Sequence, residues 1–360
     1  MELKEFAPVC EAVLKKSKID TPRYPVIDFH THMGKLLLGE NFAEKYDTAF
    51  YVSELKKNGV EKVVDLDGFY GSALDAVNEK AKGFEDFFVH FMWIDFEKFG
   101  QEEFEENTRT LILDSYEKGC RGIKLWKNIS LYMRDEAGKP IRTDDTRLDV
   151  IYDTAAELRI PVLMHIADPT AFFKPKDAHN ERYEELDECP DWEFSDRSRY
   201  MSFEELMEMQ ENTIRNHPDT TFVIAHVGSY AENLSWVSEQ LRKYPNMYVD
   251  IAARIAELGR VPYSARKFFT EHQDRIVFGT DSTPLTMGYH PIYYRFLETE
   301  DEYFPYHLEN EMPGQGHWEI YGLHLDEDVL KKIYYQNACR LLLWDVEAFE
   351  EEFGEKIFEC

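Results

Sequence analysis

The sequence predicts a single (β/α)8 TIM barrel, and three observations carry that prediction. Short apolar segments alternate with amphipathic, charged ones along the chain, and such alternation implies parallel strands joined by right-handed crossovers. The apolar segments number eight, the count of the closed barrel. No Gly-x-Gly-x-x-Gly follows the first of them, so the competing doubly wound open sheet lacks its usual marker.

The predicted strands are residues 25–30 (PVIDFH), 60–66 (VEKVVDL), 87–94 (FFVHFMWI), 122–126 (GIKLW), 161–166 (PVLMHI), 221–227 (TFVIAHV), 247–251 (MYVDI) and 275–280 (RIVFGT). They are short and mostly rich in Val, Ile and Phe, as strands buried on both faces should be. Residues 145–158 read as a helix, with Leu148, Ile151, Tyr152 and Ala155 at helical spacing. Ser202 and Glu205 have the spacing of a capping box opening a further helix. Two connections, 167–201 and 282–326, are overlong. Both follow strands and are rich in aromatic residues and Arg, so they are expected to be ordered and to lie over the active face.

The barrel core is expected at about residues 24–345 of one domain spanning 1–360, with an N-terminal extension (1–23) and an acidic tail (346–360) that reads as a solvated helix. Forty-one basic residues against 70 acidic ones give a net charge of −29. That field argues against nucleic acid as a partner, since phosphate-backbone binding relies on basic patches. Mean hydropathy is −0.52 and no long apolar run occurs, so no membrane span is expected. The N-terminus lacks the pattern of a secretory signal, and the five cysteines are scattered without a C-x-x-C. A cytoplasmic protein with reduced thiols is expected.

The chemistry concentrates at the predicted strand ends. His30 and His32 flank Thr31, and alternate strand residues point the same way, which suits two ligands of one metal. His165 closes the fifth strand, His226 the sixth and Asp281 the eighth. Singly, His165 and His226 read as core histidines and Asp281 as a helix cap; together they occupy the face where barrel enzymes keep their chemistry. Imidazole and carboxylate donors suit Zn first, with Mn or Fe also accepted. Such a metal lowers the pKa of bound water toward about 7.

These residues, with Phe278-Gly279-Thr280-Asp281 and the closing run Asn337-Ala338-Cys339-Arg340-Leu341-Leu342, resemble the amidohydrolase superfamily. They resemble in particular its amidohydrolase-related branch, which includes the relatives of aminocarboxymuconate-semialdehyde decarboxylase as well as hydrolases and lactonases. The resemblance implies His30, His32, His165 and Asp281 as metal ligands. It implies His226 as the acid/base or electrostatic helper beside the metal, and Asp281 as the carboxylate that takes a proton from water. In other branches His226 would hold a second metal. The resemblance also suggests a homo-oligomer.

Several further residues are candidate substrate contacts. Lys124, near the end of the fourth strand, is carbamylated in some branches, but reads here as binding substrate or pairing with a carboxylate. Arg254, after the seventh strand, suits a bidentate grip on a carboxylate or a surface ion pair. Asp168 and Arg182 lie in the first long connection, while its aromatic residues Phe172, Phe173, Trp192 and Phe194 read as packing. The expected activity is a metal-dependent hydrolase attacking an amide, ester or lactone of a small molecule. The alternatives are a metal-dependent non-oxidative decarboxylase using the same residues and a non-catalytic metal-binding barrel.

Overall fold

All eight predicted segments form strands, and each pairs in parallel with the next. The computed structural model describes residue 6, residues 8–35, residue 39, residues 47–308 and residues 314–354. The strands are β1 (Val26–Thr31), β2 (Val60–Gly68), β3 (Phe88–Met92), β4 (Gly122–Leu125), β5 (Val162–Met164), β6 (Phe222–Ile224), β7 (Met247–Asp250) and β8 (Ile276–Val277), in sheet order β1 to β8. The ring is drawn shut by single backbone bonds instead of a full ladder: Phe29 N donates to the Phe278 carbonyl (2.9 Å) and Asp281 N to the His30 carbonyl (2.7 Å). This is a (β/α)8 TIM barrel. Val26, Ile27, Phe29, Val63, Val64, Phe91, Ile123, Val162, Val223 and Val249 are buried, as strands covered on both faces require.

Crossover helices α1 (Thr48–Lys57), α2 (Gly71–Lys80), α3 (Phe104–Glu117), α4 (Asp149–Leu158), α5 (Phe203–Asn216), α6 (Leu234–Lys243) and α7 (Pro262–Glu271) follow β1 to β7 in turn. The capping box at α5 forms as expected: Glu205 N donates to Ser202 Oγ (3.1 Å) and Ser202 N to Glu205 Oε2 (2.7 Å). The helix expected from residue 145 begins at Asp149, after a short 3-10 turn over Thr146–Leu148.

The segment from 282 to 326 is not simply a loop. It contains helix α8 (His290–Glu298), which buries His290, Tyr293, Tyr294, Phe296 and Leu297. Its 3.6-residue pattern is carried largely by Tyr and His, which an apolar count undervalues. The acidic tail also departs from the expected solvated helix. Asp345 caps a helix over Val346–Phe353, whose Phe349 and Phe353 are buried, with Phe349 stacked 5.4 Å from Tyr335. One apolar face suffices to dock it, whatever the charge on the other. Residues 355–360 lie outside the described residues.

The closing motif has a structural reason. Asn337 is fully buried, and its amide donates to the carbonyls of Gln273 and Ile276, both at 2.8 Å, while its Oδ1 accepts from Arg340 (2.8 Å). One side chain thus pins the last barrel helix to β8. Asn337→Ala leaves two inward carbonyls without donors. It should cost about 2–4 kcal/mol, read as a shift of the urea midpoint.

Candidate active site

The strands end just short of the chemistry. His165 N still donates to the Leu125 carbonyl (2.9 Å), but His165, His226 and Asp281 all stand beyond the last ladder residues of their strands. There the backbone turns sharply. His226, Val227 and Ser229 after β6, Ala253 after β7 and Asp281 after β8 all have φ between 50° and 64°. Left-handed backbone at non-glycine residues costs about 1–3 kcal/mol each and persists where the surroundings over-determine it, typically at functional sites. Here the fixing bonds are visible: Asp250 Oδ1 accepts from His226 N (2.8 Å) and Ala252 N (3.0 Å), and Tyr293 Oη accepts from Ala253 N (2.9 Å).

This rim brings His30, His226 and Asp281 together and sets His32 against Asp281, while His165, expected as a ligand, lies outside that cluster with its Nε2 toward Asp168. Asp281 Oδ1 lies 3.4 Å from His30 Nε2 and 3.1 Å from His32 Nε2. Donor atoms of His30, His226 and Asp281 all lie within 4.8 Å of one another, a spacing that one metal ion can bridge. The His165 ring is centred 4.3 Å from that of His226, and its Nε2 lies 3.2 Å from Asp168 Oδ1.

Each of the other rings is oriented through Nδ1. His30 Nδ1 bonds Asp250 Oδ2 (2.7 Å), His32 Nδ1 bonds Asp67 Oδ1 (3.0 Å), and His226 Nδ1 donates to the Ala252 carbonyl (2.8 Å). A carbonyl only accepts, so the proton of neutral His226 sits on Nδ1 and Nε2 is left with a lone pair. Imidazoles tied at one nitrogen by a carboxylate or carbonyl and presenting the other to a common centre are the usual setting of metal-ligating histidines. The donor set therefore fits a divalent metal.

The charges are sharply set. Burial pushes the Asp281 carboxyl up, but His30 and His32 outweigh it and hold Asp281 well below the usual carboxylate range. Burial pulls His32 down, yet its bonds to Asp281 and Asp67 raise it to about 9. Burial lowers His226 well below its ordinary value, and His165 and Arg254 push the same way.

The group opens into a cavity of about 560 Å³. Trp126, Phe172 and Trp192 wall it, Lys127 and Arg254 supply cations, and Glu185 and Gln315 also line it. Phe172 and Trp192, expected only to pack their loop, stack on each other at 5.9 Å and face this cavity; Phe173 and Phe194 do pack the loop, 5.3 Å apart. Arg254 is buried and Nη1 donates to the Ala253 carbonyl (2.7 Å). Among the described residues no carboxylate lies within ion-pair distance of its guanidinium.

The remaining predicted contacts are disposed differently. Asp168 lines the cavity and is engaged by Lys127 Nζ at 2.5 Å; burial raises its carboxyl, but Lys127 and His165 outweigh burial and hold it below the usual range. Arg182 is fully buried, ion-paired with Glu185 (2.6 Å) and Glu257, and does not line the cavity. Lys124 is buried without a hydrogen-bond partner and also lies off the cavity wall. Burial lowers its ammonium to about 8, against the pull of Asp281 and Asp250. Sequence reasoning missed Asp67 and Asp250, which orient the histidines, and Lys127 and Trp126. Their signal is position alone, at or just past the ends of β2, β7 and β4.

A parallel barrel with this histidine and aspartate cluster at its C-terminal rim has the layout of a barrel enzyme, with a cluster that could hold a metal ion. The family model Amidohydro_2, described as Amidohydrolase, matches residues 27–344, and the chain belongs to that family. Curated proteins give no sequence match. Solved structures share the fold at low identity. A dihydroxybenzoic acid decarboxylase from Polaromonas sp. JS666, with bound manganese and the inhibitor 2-nitroresorcinol, is 14% identical with a TM-score of 0.54, over 89% of this chain and 97% of that one. An uncharacterised TIM-barrel protein from Bordetella bronchiseptica is 15% identical at 0.52, over 89% and 98%. A 4-oxalomesaconate hydratase from Rhodopseudomonas palustris is 14% identical at 0.50, over 92% and 99%. Among the described residues no helix is long and apolar enough to cross a membrane.

Proposed function

We propose that this chain is a metal-dependent hydrolase of a small, carboxylate-bearing amide, ester or lactone. His30, His32, His165 and Asp281 would hold one divalent metal, with zinc the first choice and manganese, held by a structural relative, the second. When bound, the metal supplies a Lewis acid and a water acidic enough to ionise near neutrality. The protein's own contribution is orientation and proton handling. Asp281 is a carboxylate at neutral pH and opens to the cavity, its side chain 32% exposed. His226 has its donor atom within 4.8 Å of those of His30 and Asp281 and feels the charge of Arg254. With four ligands already assigned, His226 is read, despite that closeness, as a proton-transfer group and not as a fifth ligand. Asp281 takes the proton of the attacking water, and the free Nε2 of His226 relays it to the leaving group. Arg254 grips the substrate carboxylate with the donors the protein leaves unpaired.

The observation that carries the reading is this base-rich rim, Asp281 and the Nε2 of His226, beside an unpaired buried guanidinium. Decarboxylation is the second reading, favoured by the aromatic walls Trp126, Phe172 and Trp192, which suit a planar acid. A panel of lactones, N-acyl compounds and aromatic carboxylates, incubated in oxygen-18 water with zinc- or manganese-loaded enzyme, separates the two. Hydrolysis places one heavy oxygen in the acid product. Release of carbon dioxide without it would establish the second reading instead.

Asp250 supports both His30 and the backbone of His226, so Asp250→Asn should lower metal affinity about 10–100-fold with the fold retained. Competition with a chromophoric chelator measures this, and unchanged affinity would remove Asp250 from that role.

A further inference from the structure

Beside the main cavity lies a second chamber of about 230 Å³. The two meet at Ala253, Asp281 and Gln315, which line both. Their chemistry differs. Arg254 and Lys127 face only the larger one. The smaller is walled by Ile255, Tyr289, Tyr293 and Tyr306 together with Thr280, Ser282, Thr286 and His307; among the described residues its one carboxylate is Asp281 at the junction, and no lysine or arginine lines it. Two of the tyrosine hydroxyls are already spent on backbone. Tyr293 Oη accepts from Ala253 N and donates to the Thr280 carbonyl (3.2 Å). Tyr306 Oη donates to the Gly316 carbonyl (2.8 Å) and accepts from Gln315 N (3.1 Å). Thr280 Oγ1 likewise donates to Asp28 (2.6 Å) and Thr286 Oγ1 accepts from Thr283 N (2.8 Å), so Ser282 Oγ and His307 are the polar groups left in a wall otherwise made of ring and aliphatic surface. An apolar cavity of about 150 Å³ already accepts benzene, so this one has room for a substituted ring.

We infer that the substrate is bipartite: its carboxylate-bearing part lies against Arg254, and an uncharged ring or branched apolar group fills the tyrosine-walled chamber, with the reacting bond at the junction beside Asp281. This rests on the hydrolytic reading and, within it, on an acyclic amide or ester, whose hydrolysis yields two organic fragments to which the two chambers give a place; a lactone would open to a single one. The charged fragment would be the acid and the neutral one the alcohol or amine part.

Binding of two probes, benzyl alcohol (neutral) and benzoate (anionic), tests this by titration calorimetry on the full chain, independently of turnover. Ile255→Phe projects a ring into the small chamber. It should weaken benzyl alcohol at least tenfold and leave benzoate within twofold, whereas Arg254→Ala should do the reverse. Tyr289→Ala widens the chamber and should shift preference from benzyl alcohol toward 2-naphthylmethanol at least tenfold; it carries the test if Ile255→Phe does not fold. Benzyl alcohol that fails to bind, binds equally well to Ile255→Phe, or depends on Arg254 would overturn the bipartite assignment. Oxygen-18 incorporation with no such binding would leave hydrolysis standing and this inference fallen; binding without incorporation would leave the two binding chambers standing and overturn hydrolysis together with the fragment roles that rest on it.

Discussion

Asp281→Asn should lose the metal and at least about 10²–10⁴ in turnover, the range expected when a positioned general base is removed, while remaining folded. Asparagine is the informative replacement. Asp281 has φ of 64°, a conformation that Asn tolerates and Ala does not, so Asp281→Ala would mix backbone strain with lost chemistry. The amide keeps the shape but removes the negative charge that His30 and His32 stabilise. Elemental analysis, turnover and a thermal melt on the same preparation separate the effects. A variant with full metal content and activity would end the assignment of Asp281 as ligand and base.

Arg254→Ala should raise KM for a carboxylate substrate about 10–150-fold with a smaller change in kcat, the equivalent of about 1.5–3 kcal/mol for hydrogen bonds to a charged group. The guanidinium is buried at the cavity wall and, among the described residues, its one hydrogen bond is to the Ala253 carbonyl, which leaves donors for a ligand. Arg254→Lys should recover little, since an ammonium cannot make the planar two-pronged contact. An equal loss on a neutral ester would show that Arg254 shapes the wall and does not read charge.

The barrel was legible because its strands are buried on both faces. Segments such as PVLMHI and TFVIAHV read as strands on composition alone, and their order requires no long-range information. The histidines and Asp281 were legible because each terminates such a segment. What was hidden was everything that depends on side chains meeting across the barrel. Asp250 in MYVDI looks like any strand-end acid, yet it holds His30, two residues from His32, through a contact 220 positions away in sequence. Arg182 and Arg254 looked alike on the page. Only packing separates them, one closed by Glu185 and Glu257 and the other open to the cavity. The acidic tail misled because charge was counted and the spacing of Phe349 and Phe353, which share one helical face, was not.

In the function proposed above, one metal is held by His30, His32, His165 and Asp281 with His226 beside it. The direct test is metal content per chain, measured on wild type, His165→Ala and His226→Ala purified without added metal. The expected result is about one metal in wild type, one retained in His226→Ala with turnover abolished, and a large loss in His165→Ala. Metal kept in His165→Ala but lost in His226→Ala, or two metals falling to one in His226→Ala, would contradict it and move His226 into the ligand set.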